Sequence, residues 1–195
     1  MLWGRHADAP RPDMRGERLS LPDGAEIRIR PIEPADAAEL GAAFSRLTAV
    51  TRYGRFLGDL DHITPRQLDY LTTVDHVDHE ALAAFEAETG MGIGVARYVR
   101  DAHDPSLAEV AVVVADAWQG RRVGTALLGR LSDRAYAAGV ERLVGRLIVG
   151  NKAACALAAH LGTPMRESRG AGTLELTVRL DPRWSDGTPI APIAP

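Results

Sequence analysis

The sequence has very few cysteines and lysines and no long apolar run. These shortages exclude some classes of structure and function. The single cysteine, Cys155, excludes an intramolecular disulfide and fits a reducing compartment, so we expect a cytoplasmic protein. No run of about 18 apolar residues indicates a membrane span, and the N-terminus lacks the apolar core of a secretory signal. Lys152 is the only lysine, and the net charge of -3 does not indicate nucleic-acid binding.

The composition fits one globular domain with polar ends. The chain has 195 residues, of which 46% are hydrophobic and 25% charged, enough for a single core. Residues 1–20 are polar and show no periodicity, so we expect a flexible N-terminal arm, with a partner-binding arm as the alternative. Residues 181–195 are proline-rich and predict a C-terminal tail. The folded domain is therefore expected at 21–180.

Hydrophobic periodicity along the body predicts an alternation of strands and helices. Strands are expected at 25–32, 80–85, 92–99, 108–115, 142–149 and 172–180, and helices at 35–47, 49–56, 65–71, 124–138 and 151–161. The second and third strands are separated by a short glycine-containing turn and should form a hairpin. The helix between the fourth and fifth strands predicts a parallel pair joined by a right-handed crossover. The fold class is therefore α/β.

The turn after the continuous β-branched strand AEVAVVVA contains glycines and arginines and leads directly into a helix. Unpaired N–H groups and the helix dipole make such a helix start suitable for an anion, and Arg121 and Arg122 add cationic donors. The turn chemistry alone leaves two interpretations open: a plain strand-to-helix turn, or a phosphate cradle. The Walker A and Rossmann glycine patterns are both absent.

The segment AEVAVVVADAWQGRRVGTALLGRL resembles the acyl-CoA binding motif of the GNAT N-acyltransferases. In that family, a Q/R-x-x-G-x-G/A loop holds the CoA pyrophosphate at a helix start. Gln119 and Gly124 match this pattern, whereas the first glycine of the loop is replaced by Arg122. Arg122 must therefore adopt the backbone conformation of that glycine.

A second segment, NKAACALAAHLG, resembles the family helix that packs beside the pantetheine arm. Asn151, Ala154, Leu157 and Gly162 match its N-x-x-A-x-x-L-x-x-x-x-G pattern. The segments IRIRPIEPADAAEL, SRLTAVTRYGRF and VDHVDHEALAAF more loosely resemble the GNAT domain of bacterial protein-lysine acyltransferases. The resemblance implies a mixed, mostly antiparallel sheet of six to seven strands with flanking helices.

The resemblance also implies which residues hold acetyl-CoA. The pantetheine would lie along the central strand and the pyrophosphate at the helix start, and the helix at 151–161 would flank both. The implied contacts are Val112, Val113, Val114, Gln119, Gly120, Arg121, Arg122, Val123, Gly124, Thr125, Asn151 and Ala154.

Acyl transfer to an amine requires the neutral amine. A lysine-like amine with a pKa of about 10.4 is neutral in about one molecule in 2,500 at pH 7, so a positioned base helps. The resemblance places Glu109, at the start of the central strand, in this role. The alternative is a glutamate at the strand edge that simply faces water.

The usual general acid of the family, a tyrosine on the last helix, is missing because Ala158 occupies its position. Tyr98, Tyr136 and His160 are possible substitutes that no motif positions. The CoA thiol can also leave as the thiolate without a proton donor. Cys155, which has no His/Asp partners spaced around it, is expected to be a structural cysteine rather than a nucleophile.

Two further polar segments could line the part of the site that receives the acceptor amine, here called the acceptor side. In DHVDHE, the residues Asp75, His76, Asp78 and His79 either contact the acceptor amine or form a solvated loop; a metal site is not expected, because no third ligand cluster is present. In TRYGRF, the residues Arg52, Tyr53 and Arg55 either line the acceptor side or form a salt-bridged helix.

The sequence therefore predicts an acyl-CoA-dependent N-acetyltransferase that acts by direct attack of a primary amine on acetyl-CoA. A protein lysine is the first candidate acceptor. A small-molecule amine, and a non-catalytic acyl-CoA-binding module, are the alternatives. The expected partners are acetyl-CoA and the acceptor, with no metal, nucleic acid or membrane, and a homodimer is left open.

Overall fold

The computed structural model describes residue 14 and residues 16–58, 60–170 and 172–180. The strands are β1 (Glu17–Ser20), β2 (Glu26–Pro31), β3 (His79–Glu86), β4 (Gly92–Arg100), β5 (Leu107–Val114), β6 (Arg142–Ile148), β7 (Gly162–Gly170) and β8 (Thr173–Leu180). The helices are α1 (Ala37–Ser45), α2 (Ala49–Phe56), α3 (Pro65–Thr72), α4 (Val123–Ala137) and α5 (Lys152–Leu161). None of the helices described has the length and apolar character needed to cross a bilayer.

The strands form one mixed sheet in the order β1-β2-β3-β4-β5-β6-β8-β7. All neighbours are antiparallel except β5 and β6, which are parallel and joined by α4. The predicted hairpin of β3 and β4 and the predicted parallel pair are both confirmed. The α/β class and the mostly antiparallel sheet are also confirmed. The resemblance implied six to seven strands, whereas the described part of the chain forms eight.

The two strands that the sequence prediction missed, β1 and β7, lie at the two edges of the sheet. Glu17–Ser20 falls inside the predicted arm at 1–20, so the arm boundary at residue 20 was wrong: this stretch pairs with β2. Edge strands are exposed and lack the alternation that reveals a half-buried strand, and β7 also contains Pro164, where its register shifts. Residues 1–13 of the arm and the tail at 181–195 lie outside the described residues.

Helices cover both faces of the sheet. Leu82 and Ala84 of β3 belong to the larger core cluster, which also contains Leu127 and Leu131 of α4. Ala83, the residue between them, belongs to a separate cluster with Leu40 of α1 packed against it. Because successive strand residues point to opposite faces, α4 and α1 lie on opposite sides of the sheet.

The parallel pairing of β5 and β6 is short. It runs only from Leu107 beside Arg142 to Glu109 beside Val144. Beyond that point β5 continues to Val114 in pairing with β4, whereas β6 continues to Ile148 in pairing with β8. The sheet therefore splits between these two strands after Glu109.

Candidate functional site

The split leaves one side of β5 without a neighbouring strand. The amide of Ala115 donates to Ile93 O of β4 at 2.8 Å, and Val113 is registered with Val95. Because backbone groups alternate in direction along a strand, those of Val112 and Val114 point to the opposite side, toward the split. Of the three predicted strand contacts, Val112 and Val114 thus face the open edge, whereas the backbone of Val113 faces β4.

The open edge leads to the N-terminus of α4. The first helical hydrogen bond runs from Ala126 N to Arg122 O at 3.0 Å, which leaves the N–H groups of Val123, Gly124 and Thr125 without helical partners. Arg122 makes no capping hydrogen bond through its side chain. The start of α4 therefore has the donors and the dipole orientation that attract an anion.

The loop before α4 has two residues in the left-handed region. Gly120 has φ 73° and Arg122 has φ 72°. The expectation that Arg122 adopts a glycine-like conformation is confirmed. For a residue with a Cβ atom this conformation costs roughly 1–2 kcal/mol, so the surrounding packing, including the 1% exposed Val123, holds the loop in shape.

The two predicted arginines of this loop differ in their contacts. Arg121 donates through Nε to Asp23 Oδ2 at 2.5 Å, and its guanidinium lies 4.0 Å from the centre of the Trp118 ring. These contacts join the loop to the turn between β1 and β2. Arg122 has no side-chain hydrogen bond to any residue in the described part of the chain, so it is the arginine available to a ligand.

A polar network connects the same loop to α2. Gln119 donates through Nε2 to Val114 O at 3.1 Å and to Thr51 Oγ1 at 3.2 Å. Asp116 accepts hydrogen bonds from the backbone and hydroxyl of Thr48 and from the hydroxyl of Thr51. Burial raises the pKa of Asp116, but these hydrogen bonds outweigh it and the pKa is lowered overall. The start of α2 is thereby fixed beside the split.

Helix α5 packs against the N-terminal part of α4. Asn151 caps it by accepting from Ala154 N at 3.0 Å, as predicted. A Cβ atom on Gly124 would come within 3.3 Å of Leu157 of α5, so glycine here permits the close approach of α4 and α5. Cys155 is a partly buried free cysteine on the same helix.

Glu109 stands where β5 and β6 separate. Its side chain is exposed and lines an open cleft together with Arg146 and Glu175. Arg146 pairs with Glu175 at 3.1 Å, and Glu109 has no ion pair within 4 Å among the residues described. The carboxylate is therefore reachable from solvent at the start of the split.

The segment Asp75 to Glu80 is held by hydrogen bonds between its own residues. Asp75 Oδ1 accepts from the backbone N–H groups of Val77, Asp78 and His79, each at 2.9 Å. Asp78 pairs with Arg100 at 2.8 Å. In the described residues, no group of three His, Cys, Asp or Glu side chains could hold a metal ion.

The two histidines of this segment are each bound to a different side chain. His76 Nδ1 lies 2.7 Å from Glu80 Oε1, and Glu80, which is 1% exposed, also accepts from Arg134 at 3.0 Å. His79 Nε2 lies 3.1 Å from Arg97 Nη1. Burial, reinforced by the charge of Arg97, lowers the pKa of His79 to about 4, so the ring is neutral at pH 7 and accepts a hydrogen bond from Arg97.

The three candidate general acids lie in different environments. Tyr98 is 1% exposed and donates to Val77 O at 2.9 Å, and burial strongly raises its pKa. Tyr136 of α4 is 44% exposed, and His160 lies in the last turn of α5. The structure brings none of the three together with Glu109.

The three candidates on α2 have separate environments. Arg52 lies over the Phe44 ring at 5.6 Å, Tyr53 is 48% exposed, and Arg55 is partly buried with its guanidinium 4.9 Å from the Phe56 ring centre. Arg97 of β4, only 7% exposed, joins Arg55 in lining an internal cavity. Sequence reasoning missed Arg97, although a charged residue at a core position of an alternating strand is a detectable signal.

Comparisons with known proteins show the family and the fold. Residues 26–163 match a family model described as an acetyltransferase (GNAT) domain. The chain is 34% identical over 156 residues to acetyltransferase Pat of Mycolicibacterium smegmatis, and the match covers 80% of this chain but only 46% of that protein. It is 31% identical over 145 residues to acetyltransferase PA5475 of Pseudomonas aeruginosa, covering 73% of this chain and 77% of that one.

The fold is also similar to a solved structure, the GNAT domain of S. lividans PAT. The TM-score is 0.79 and the sequence identity 28%, with 88% of this chain and 100% of that chain covered. The chain thus spans about half the length of the M. smegmatis relative and the whole of the S. lividans domain.

The left-handed backbone of Arg122 generates a stability prediction. Arg122→Gly removes the Cβ strain, so we expect the free energy of unfolding to stay unchanged or to rise by up to about 1 kcal/mol. Arg121→Gly is the matched control, because it loses the Asp23 and Trp118 contacts without relieving strain and should lower stability. Urea denaturation of both variants measures the difference; a clear loss of stability in Arg122→Gly contradicts the strained conformation.

The buried neutral His79 predicts a pH dependence. Its pKa in the folded chain is about 4, below the ordinary value of 6.5, so the unfolded chain binds the proton more readily between these values. Stability from this group is complete above about pH 6.5 and declines as the pH falls toward 4. His79→Gln should flatten that slope in denaturation curves measured at several pH values. Equal slopes for the wild type and His79→Gln would contradict the assignment.

Proposed function

The chain belongs to the GNAT acetyltransferase family, and from that membership we propose that it transfers an acetyl group from acetyl-CoA to a primary amine. The amine nitrogen attacks the thioester carbonyl directly, the C–S bond breaks, and CoA leaves as the thiolate. The protein lysine expected from the sequence is the first candidate acceptor. In this proposal the activity belongs to the unit formed by residues 17–180.

The observation that carries the proposal is the split of the sheet between β5 and β6 above the uncapped start of α4. Along the split, Val112 offers its backbone N–H and C=O groups and Val114 its N–H group, which suit the amide groups of a pantetheine arm; Val114 O already accepts from Gln119. The free N–H groups of Val123, Gly124 and Thr125 suit the pyrophosphate. Arg122 adds a cation that no described side chain engages.

Glu109 is the proposed general base. It lies at the point where the strands separate, next to where a thioester at the end of the pantetheine arm would stop. The alternative is a solvated glutamate that takes no part in the reaction. An open cleft around Glu109 gives a lysine on another protein direct access, which favours that acceptor over a molecule that must be enclosed.

The remaining expectations complete the proposal. Thiolate departure needs no general acid, since a CoA thiol with a pKa near that of cysteine is a good leaving group, and this accommodates Ala158 in place of the family tyrosine. A cytoplasmic location follows from acetyl-CoA as the donor. The alternative function is a non-catalytic acyl-CoA-binding module. A homodimer is an open possibility for the assembly.

Glu109→Gln should lower turnover by about 10²-fold or more, because the amine loses its base, while the Kd for acetyl-CoA stays within about twofold. Thiol release with a panel of amines and lysine peptides measures the first quantity, and calorimetry measures the second. Because Lys152 is the only lysine, acetyl groups on the chain itself can be located by mass spectrometry and subtracted.

Glu175→Gln is the matched control, since it removes one carboxylate from the same cleft without touching the split. Equal turnover in Glu109→Gln and wild type would remove Glu109 from the base role. Binding of acetyl-CoA without thiol release for any acceptor would leave the acyl-CoA-binding module as the function.

A further inference from the structure

A cavity lies between helices α1 to α3 and the face of the sheet formed by β3, β4 and β5. It measures about 70 Å³, several times what one water needs by the same measure. Its walls are mostly apolar and include Phe44, Phe56, Leu71, Phe85, Val95 and Val113. Val113 lies on β5, so the cavity adjoins the strand that forms the proposed acetyl-CoA site.

Two arginines enter this apolar space from different elements, Arg55 from α2 and Arg97 from β4. Arg97 donates to Leu71 O at 3.0 Å and lies 3.1 Å from the His79 ring nitrogen. Arg55 contacts the Phe56 ring. Neither guanidinium has a carboxylate within ion-pair distance in the described residues, and the nearest acidic influence on Arg55 is the charge of Glu109.

The acidic residues of the same cavity are already neutralised by other arginines. Asp36 pairs with Arg30 at 2.6 Å, and Glu39 pairs with Arg46 at 2.7 Å. The described part of the cavity therefore carries an excess of positive charge from Arg55 and Arg97.

The pKa values of both arginines are lowered in this cavity. Burial, followed by the charge of Arg55, lowers the pKa of Arg97 to about 10, and burial lowers that of Arg55. An arginine side chain stays protonated in proteins at pH 7, so both guanidinium groups are charged. Cations placed in an apolar space without a counter-ion are costly, and an anion between them would remove that cost.

We propose that this space, the arginine cavity (lined by Arg55, Arg97, Phe56, Leu71, Phe85 and Val113), binds a carboxylate carried by one of the two reactants. The inference rests on the proposed acetyl-transfer function and names the chemistry of its substrate. A planar guanidinium donates two parallel hydrogen bonds to a carboxylate, and a short aliphatic segment fits the apolar walls. The carboxylate belongs either to the acceptor amine or to the acyl chain of the CoA thioester.

The experiment compares reactants that differ only in the carboxylate. One arm pairs acetyl-CoA with 4-aminobutyrate or with n-butylamine; the other pairs one neutral amine with succinyl-CoA or with butyryl-CoA. We expect at least a tenfold higher kcat/KM for the carboxylate-bearing reactant in one arm, and that arm identifies the source. Equal rates in both arms overturn the proposal while leaving acetyl transfer intact.

Variants of the cavity arginines test whether the carboxylate preference arises in the arginine cavity. Arg55→Met should remove most of the carboxylate preference, measured as the ratio of kcat/KM for the carboxylate-bearing reactant to kcat/KM for the neutral one. Arg97→Met should do the same, but it also loses the bond to Leu71, so Arg55→Met is the decisive variant if Arg97→Met unfolds. Arg66→Met, which removes an exposed arginine of α3 that does not line the cavity, is the control and should keep the preference. A preference that survives in Arg55→Met overturns the proposal.

A binding measurement covers the case in which no amine is acetylated. Saturable binding of 4-aminobutyrate or of succinate, measured by NMR titration in the presence of CoA, should weaken at least tenfold in Arg55→Met. Unchanged binding, or no binding by wild type, overturns the inference independently of turnover.

Discussion

The structure depends on the point at which β5 and β6 stop pairing. Three residue pairs hold the two strands together, from Leu107 with Arg142 to Glu109 with Val144, and then each strand keeps only its other neighbour. A parallel pair that continued would have satisfied the backbone of Val112 and Val114 with β6. The split leaves those groups without a strand partner, with Val114 O bonded instead to the Gln119 side chain, and it places Glu109 at its closed end and the start of α4 at its open end.

The loop at the start of α4 is held by contacts from outside itself. Arg122 adopts a conformation that glycine favours, and long-range contacts compensate: Arg121 bonds to Asp23, and Gln119 and Asp116 bond to the start of α2. The same network fixes α2, which carries Arg55 into the arginine cavity. The loop before α4 and helix α2 are thereby connected through Asp116, which bonds to Thr48 and Thr51.

The sequence predicted the parts of the fold and site that are continuous along the chain. The β-branched run of β5, the loop that follows it and the Asn151 cap are local patterns, and the structure has them where they were expected. Edge strands β1 and β7 lack alternation because neither of their faces is deeply buried. The pairing of Arg121 with Asp23, and the meeting of Arg55 with Arg97, join residues far apart in sequence, and no local pattern encodes such contacts.

Amide hydrogen exchange along β5, measured by NMR with and without acetyl-CoA, reports whether the cofactor lies in the split. We expect slow exchange for Val113, whose amide faces β4, in both states. Val112 and Val114 should exchange rapidly in the free protein and become protected when acetyl-CoA binds, because their amides face the split. Saturating acetyl-CoA that leaves the exchange of Val112 and Val114 unchanged would contradict a cofactor site between β5 and β6.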